Sequence, residues 1–198
     1  MTDPLDRRRA MQLSLAALPI LMTLAEAGGA SAQGAAAPAT GGAGSEHDFD
    51  FLLGSWSVKH RKLKKRLVGD NEWLEFDGAT TFQSLLGGVA NMNDSVVNGP
   101  SGPYRGLGLR AYSAKTSTWA DWYLDGRDPA AIDPPGVGRF TNGVGEFLSD
   151  DTYDGKPIKV RGLFSSINQT TAQWEQAFSP DGGRTWETNW VMRYIRAA

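Results

Sequence analysis

The sequence contains no cysteine, so disulfide bridges, thiolate metal sites and thiol catalysis are all excluded. Only two histidines, His47 and His60, are present, and no metal site or cofactor is expected from so few ligands. The formal net charge of −2 is unlike the strongly basic balance of nucleic-acid-binding proteins, and no nucleic-acid partner is expected. Gly-x-Ser-x-Gly, phosphate-loop and dinucleotide-binding motifs are also missing. Together these absences exclude the enzyme classes that are easiest to recognise.

Long hydrophobic runs are scarce. The uncharged stretch from Met11 to Ala25 is too short for a stable membrane span. It follows Arg7-Arg8-Arg9 and precedes Ala30-Ser31-Ala32, which is the order of a secretory signal and its cleavage site. The arginines followed by Ala10-Met11-Gln12-Leu13 resemble a twin-arginine signal. We therefore predict a signal peptide over residues 1–32, export to the periplasm and no stable membrane span after cleavage.

Glycine, proline and aromatic residues dominate what remains. A Gly/Ala/Pro-rich leader over residues 33–46 lacks apolar periodicity and precedes a single domain over 47–198. In that domain, short runs of alternating polarity are separated by turn residues, which predicts an all-β, antiparallel up-and-down barrel of eight to ten strands. Glu46–Leu53 is predicted to be a short helical plug at one end. The proline-rich segment Asp128–Gly138 is predicted to be a rim loop or lid.

The two ends of the domain are predicted to meet. Trp56 lies on the first strand, and the last strand contains Trp190 and ends at Arg196, which is expected to cap the Trp56 ring by a cation–π contact. Alternation in the final hairpin predicts that Trp174 faces Trp190 and that Phe178 faces Trp186. This register places Trp174, Gln176, Phe178, Trp186, Thr188, Trp190, Met192 and Tyr194 on one inward face.

The turn of that hairpin carries its own motif. Ser179-Pro180-Asp181-Gly182-Gly183-Arg184-Thr185-Trp186 matches the Asp-box pattern, which repeats in sialidase propellers but occurs once here. Asp181 is expected to accept hydrogen bonds from the turn amides, with Gly182 and Gly183 at positive φ. The motif is therefore interpreted as a structural turn.

The middle hairpin carries the candidate binding residues. Arg110 and Tyr112 share one strand face, and Trp119, Asp121 and Tyr123 share a face of the next strand. The opposite faces are apolar and include Leu107, Leu109, Ala111, Ala120, Trp122 and Leu124. Two interpretations remain open. Either the aromatic and charged face lines a cavity for an amphipathic molecule, or it faces solvent and Arg110–Asp121 is a surface ion pair.

Several sequence blocks resemble a known group of proteins. Gly54-Ser55-Trp56 and the closing Arg196 resemble the calycins, the lipocalins and fatty-acid-binding proteins. Phe51–Trp56, Gly106–Tyr112, Trp174–Ser179 and Asp181–Glu187 are similar to a bacterial family of lipocalin-like exported proteins. The likeness covers about Asp48 to Arg196. It implies a calycin-type barrel, with Trp56 packed at the barrel base under Arg196, and implies no particular activity.

The sequence therefore favours an exported barrel that binds a small hydrophobic or aromatic molecule. The alternatives are a cofactor-independent lyase, isomerase or hydrolase using the same cavity, and a purely structural protein with a packed interior. The predicted ligand-binding residues are Arg110, Tyr112, Trp119, Asp121, Tyr123, Trp174 and Trp190. The predicted structural residues are Trp56, Asp181 and Arg196.

Overall fold

The structure is a computed structural model that describes residues 44–197. The predicted signal peptide, 1–32, and nearly all of the predicted leader, 33–46, lie outside the described residues. Helix is limited to two short 3-10 turns, Asp50–Leu52 and Leu86–Gly88, in the described part of the chain. Neither turn has the length and apolar character that a helix needs to cross a membrane.

Ten antiparallel strands form one closed barrel in which each strand pairs with its neighbours in sequence. The ring closes where the last strand pairs with the first, so the predicted all-β up-and-down barrel is confirmed. The strands are β1 (Gly54–Leu63), β2 (Trp73–Leu85), β3 (Ala90–Gly99), β4 (Gly102–Ser113), β5 (Thr118–Asp125), β6 (Gly136–Thr141), β7 (Val144–Tyr153), β8 (Lys156–Ser165), β9 (Thr171–Ser179) and β10 (Glu187–Arg196).

One end of the barrel is closed by the segment that precedes β1. Phe49 and Leu52 are 1% and 0% exposed, and the Phe49 ring packs edge-on against Trp119, Phe140 and Phe164 at 5.0–5.2 Å. Such edge-to-face contacts add to the hydrophobic stabilisation of ring burial. The predicted helical plug is therefore present, as the 3-10 turn Asp50–Leu52. The opposite end is open.

The predicted register of the last hairpin is wrong. Trp174 pairs with Met192, and Trp190 pairs with Gln176. The register shifts between Thr188 and Trp190, because Asn189 forms a β-bulge that adds one residue to β10. Residues before the bulge therefore lie on the opposite face of the sheet from the one predicted. Residues after the bulge lie on the predicted face.

Trp186 and Thr188 are displaced by this bulge. The Trp186 ring lies 4.7 Å from the Arg161 guanidinium, and Thr188 pairs with Ala177. Neither residue belongs to the predicted inward row. Asn189 itself is fully buried.

Strand β6 was not predicted, because Gly136–Gly138 was assigned to the end of the proline-rich loop Asp128–Gly138. Gly138 faces Phe147 of β7 so closely that a Cβ there would lie 1.7 Å from the Glu146 carbonyl oxygen. Glycine is therefore required by strand approach and not by a turn. The β5–β6 ladder is short and joins only Trp119–Asp121 to Gly136–Gly138.

Candidate functional site

The barrel interior contains a cavity of about 270 Å³ between the plug and the open end. This volume is near the lower limit of about 300 Å³ that is usual for small-molecule sites, so an occupant would be small. The walls come from every strand of the barrel. Aromatic rings form much of the lining, and they belong to Tyr104, Tyr123, Phe147, Phe164, Trp174, Phe178, Trp190 and Tyr194.

An ion pair lies deep in this cavity. Arg110 Nε on β4 is 3.2 Å from Asp121 Oδ1 on β5, and the side chains are 8% and 18% exposed. The two residues are directly opposite each other in the β4–β5 ladder. The interpretation of this pair as a surface ion pair is therefore wrong, and the aromatic and charged face of the middle hairpin points inward. The apolar Leu107 and Leu109 lie half-buried on the outer face.

The guanidinium of Arg110 is held on the plug side of the cavity. Its Nη1 donates to the side-chain oxygens of Asn93 at 2.9 Å and Asn91 at 3.3 Å. Its Cζ lies 5.3 and 5.4 Å from the ring centroids of Phe49 and Phe82, within cation–π range. The Arg110 guanidinium, predicted from the sequence to bind a ligand, is therefore held largely by contacts within the protein.

Asp121 is less well satisfied than its partner. The Arg110 Nε–H does not point at the carboxylate, so the contact is an ion pair without a hydrogen bond. No other hydrogen-bond donor among residues 44–197 reaches this carboxylate. Burial raises the pKa of Asp121, and the nearby Arg110 charge opposes this effect only in part. The carboxylate is therefore a potential hydrogen-bond acceptor or proton acceptor.

His60 is buried in the cavity wall at 4% exposure. Its ring stacks on Phe76 at 4.8 Å, and its Nδ1 accepts a hydrogen bond of 3.2 Å from Trp190 Nε1. Burial, assisted by the charge of Lys62, lowers the His60 pKa from 6.5 to about 4. The imidazole is therefore neutral at pH 7, with Nδ1 as the acceptor and Nε2 protonated.

Five of the seven predicted ligand-binding residues line the cavity: Arg110, Asp121, Tyr123, Trp174 and Trp190. The Trp174 and Trp190 rings meet edge-to-face at 5.8 Å. Tyr123 is 46% exposed and lies near the mouth. Burial also raises the pKa of Tyr194, a cavity residue that the sequence placed inward but did not select as a binding residue.

The other two predicted residues, Tyr112 and Trp119, are not among the residues that line the cavity. The Tyr112 hydroxyl donates to the Gly44 carbonyl oxygen at 3.0 Å, and Trp119 Nε1 donates to the Ser45 carbonyl oxygen at 2.9 Å. Trp119 is 1% exposed and packs edge-on against Phe49. Both side chains hold the segment before β1 against the closed end of the barrel.

The residues predicted to be structural have the following contacts. The Arg196 guanidinium lies 4.1 Å from the Trp56 ring centroid and donates to the Leu53 and Phe51 carbonyl oxygens at 2.8 and 2.7 Å. Trp56 itself is 1% exposed. Asp181 accepts from the backbone N–H groups of Thr185 and Arg184, and these donors, with the Thr185 and Ser179 hydroxyls, lower its pKa. Gly182 and Gly183 have positive φ angles of 76° and 97°.

The mouth of the cavity is lined by charged residues that the sequence analysis did not select. Aspartates outnumber cations there. The acidic residues are Asp125, Asp128, Asp133, Asp150 and Asp151, and the basic residues are Lys62 and Arg127. The segment between β5 and β6 supplies part of this rim, where a loop was predicted. Within residues 44–197, no group of three or more His, Asp or Glu side chains converges in a way that would hold a metal ion.

Gln176 was placed on the inward face but was not selected as a site residue. Its Oε1 is buried and accepts no hydrogen bond from the described residues. The period-2 pattern of β9 indicated its direction, and only the structure shows that its acceptor is unsatisfied.

Comparison with known proteins supports the fold. No family model matches the chain. No curated protein sequence matches it either. A similar solved structure is the S-type phycobiliprotein lyase CPES from Guillardia theta, which is 10% identical, with 77% of this chain and 92% of that chain covered and a TM-score of 0.51. Another is EF1p2_mFAP2b bound to DFHBI, which is 14% identical, with 77% and 98% covered and a TM-score of 0.38. At 10% identity, the first similarity establishes a shared lipocalin-like barrel, while membership of the bacterial exported family has no support from these matches.

Proposed function

We propose that this barrel is an exported binding protein for a small hydrophobic or aromatic molecule, which it holds in the interior cavity. The observation that carries the proposal is the aromatic cavity of about 270 Å³, open at one end and closed by the plug at the other. Rings of Trp174 and Trp190 offer a large apolar surface, and Arg110 and Asp121 supply a few fixed polar groups. This combination is typical of small-molecule sites. A structural protein would need no such space, since side chains can fill a small barrel completely.

The proposal is tested by measuring the binding of small aromatic compounds by intrinsic tryptophan fluorescence and thermal unfolding. A compound present at a hundredfold excess over its Kd should stabilise the fold by about 2.7 kcal/mol. Val160→Phe places a ring in the cavity and should abolish binding. Val144→Phe makes the same change at an outward residue, 40% exposed, and should leave binding intact. Equal binding by both variants would place the ligand elsewhere and reject the proposal.

A cofactor-independent lyase, isomerase or hydrolase is the second candidate. The specific observation in its favour is the buried carboxylate of Asp121, whose raised pKa suits a general base or acid, beside the cation of Arg110. Mass spectrometry should identify the molecule that copurifies with the protein from a periplasmic fraction. An enzyme would convert that molecule on incubation, and Asp121→Asn would retain it unchanged. Indefinite retention by the unaltered protein would support binding without catalysis.

A further inference from the structure

The cavity contains hydrogen-bond acceptors that the protein leaves without donors. Asp121 receives an ion-pair contact but no hydrogen bond, and Gln176 Oε1 is buried without a donor among the described residues. Both side chains line the same cavity. Unsatisfied buried acceptors are costly, because a group removed from water loses its hydrogen bonds unless a partner replaces them. A ligand that donates hydrogen bonds would provide the missing partners.

Several donors of the cavity are used by the protein. Arg110 Nη1 donates to Asn91 and Asn93, and Trp190 Nε1 donates to His60. Asn93 Nδ2 donates to the hydroxyl oxygens of Thr80 and Ser95. An anionic group would compete with existing partners at these donors and would find the Arg110 Nε–H, which makes no hydrogen bond, already beside the Asp121 carboxylate. A donor group would instead meet acceptors that have no donor.

The charge balance favours the same kind of ligand. Of the side chains that line the cavity and its mouth, six are aspartates and three are cations, because His60 is neutral at pH 7. Deep in the cavity, Asp121 is more open than Arg110, at 18% against 8% exposure. The Arg110 charge also lies against the rings of Phe49 and Phe82. A cation that enters past the acidic mouth therefore meets the more accessible member of the pair.

The aromatic walls complete the argument. Trp174 and Trp190 present large π surfaces in the cavity, and the Lys62 ammonium already lies 4.5 Å from the Trp190 ring centroid. Cations are attracted to such faces. Resting on the proposed binding function, we infer that the ligand is a small aromatic amine-bearing cation, with its ring among these tryptophans and its ammonium donating to Asp121.

Three probes of similar size and different charge test this inference by calorimetry at pH 7: phenethylamine, 2-phenylethanol and phenylacetate. A charge-assisted hydrogen bond contributes about 1.5–3 kcal/mol, so the amine should bind about tenfold or more tightly than the alcohol. The carboxylate should bind most weakly. Tighter binding of phenylacetate or 2-phenylethanol would overturn the inference and leave the binding function standing. Failure of all three probes to bind would count against the binding function as well.

Two variants locate the effect. Asp121→Asn should lower the affinity for phenethylamine about tenfold and leave that for 2-phenylethanol nearly unchanged. Removing one partner of a buried ion pair can prevent folding, so the double variant Arg110→Met/Asp121→Asn, which removes both charges, is tested alongside. It should likewise abolish the preference for the amine. Full retention of that preference in either folded variant would overturn the assignment of Asp121 as the cation partner.

Discussion

Replacing Trp56 by alanine should be one of the most damaging single changes in the molecule. The ring is 1% exposed, and its Nε1 donates a hydrogen bond of 2.6 Å to the Leu52 carbonyl oxygen. The Arg196 guanidinium covers one face at 4.1 Å, and Tyr194 meets the ring edge-on at 6.2 Å. One side chain thus joins β1, the plug and β10 at the closed end of the barrel.

The expected loss in the free energy of unfolding is about 3–5 kcal/mol, the range for truncating a large buried aromatic side chain. Two contacts place the result at the upper end. The Leu52 carbonyl loses its donor, which costs about 1 kcal/mol, and the cation–π contact with Arg196 contributes about 0.5–2 kcal/mol. Since a domain is usually stable by about 5–15 kcal/mol, this change removes a large fraction of the total.

Urea unfolding followed by circular dichroism measures this loss. Trp73→Ala is the matched control, because Trp73 also packs under an arginine, Arg61 at 4.9 Å, but is only half-buried on β2. Its loss should be clearly smaller. A double-mutant cycle with Arg196→Met isolates the ring–guanidinium coupling, expected at about 0.5–2 kcal/mol. A loss below about 1 kcal/mol for Trp56→Ala, typical of surface changes, would refute the buried role of this ring.

Three further predictions follow from the closed barrel, the buried histidine and the start of the chain. Deleting residues 190–198 removes most of β10 and opens two sheet edges, so the truncated chain should not fold, and a soluble product with a cooperative melt would contradict ring closure. The free energy of unfolding should fall as the pH drops from 6.5 towards about 4, because the unfolded chain binds a proton at His60 that the folded state resists. His60→Asn should flatten this pH dependence in urea titrations; an unchanged slope would assign it to other groups. The double substitution Arg8→Lys/Arg9→Lys should block export by the twin-arginine route. Immunoblots of periplasmic fractions would then lack the mature protein that begins near Gln33. Continued export would indicate the general secretory route.

The barrel was predictable because alternation, turn residues and locally paired strands all indicate the same topology. The register of its last hairpin was not, because a bulge at Asn189 adds one residue without a marked change in composition. β6 was missed for a related reason. Gly136 and Gly138 have the composition of a loop, although close strand approach is what requires glycine at Gly138.

The sequence pattern did not establish which face of the middle hairpin points into the barrel. Its Leu107–Leu109 face is the more apolar one, yet it lies outside, and Arg110 and Asp121 point inward. Alternation with period 2 identifies two faces but not which is internal, since half-buried leucines are tolerated on a barrel exterior. Whether the barrel encloses a cavity depends on the side-chain volumes of all ten strands together, and alternation along a single strand cannot predict this.

The position of the plug has a practical consequence for attaching this protein to other molecules. Gly44 is fixed to Tyr112 at the closed end, and the Ala197 backbone N–H donates to the Ser55 carbonyl oxygen at the same end. The described chain therefore begins and finishes on the side of the barrel remote from the acidic mouth. A surface tether joined before Gly44 or after Ala197 would leave the cavity entrance facing solution, and the two orientations should give equal association rates in an immobilised binding assay.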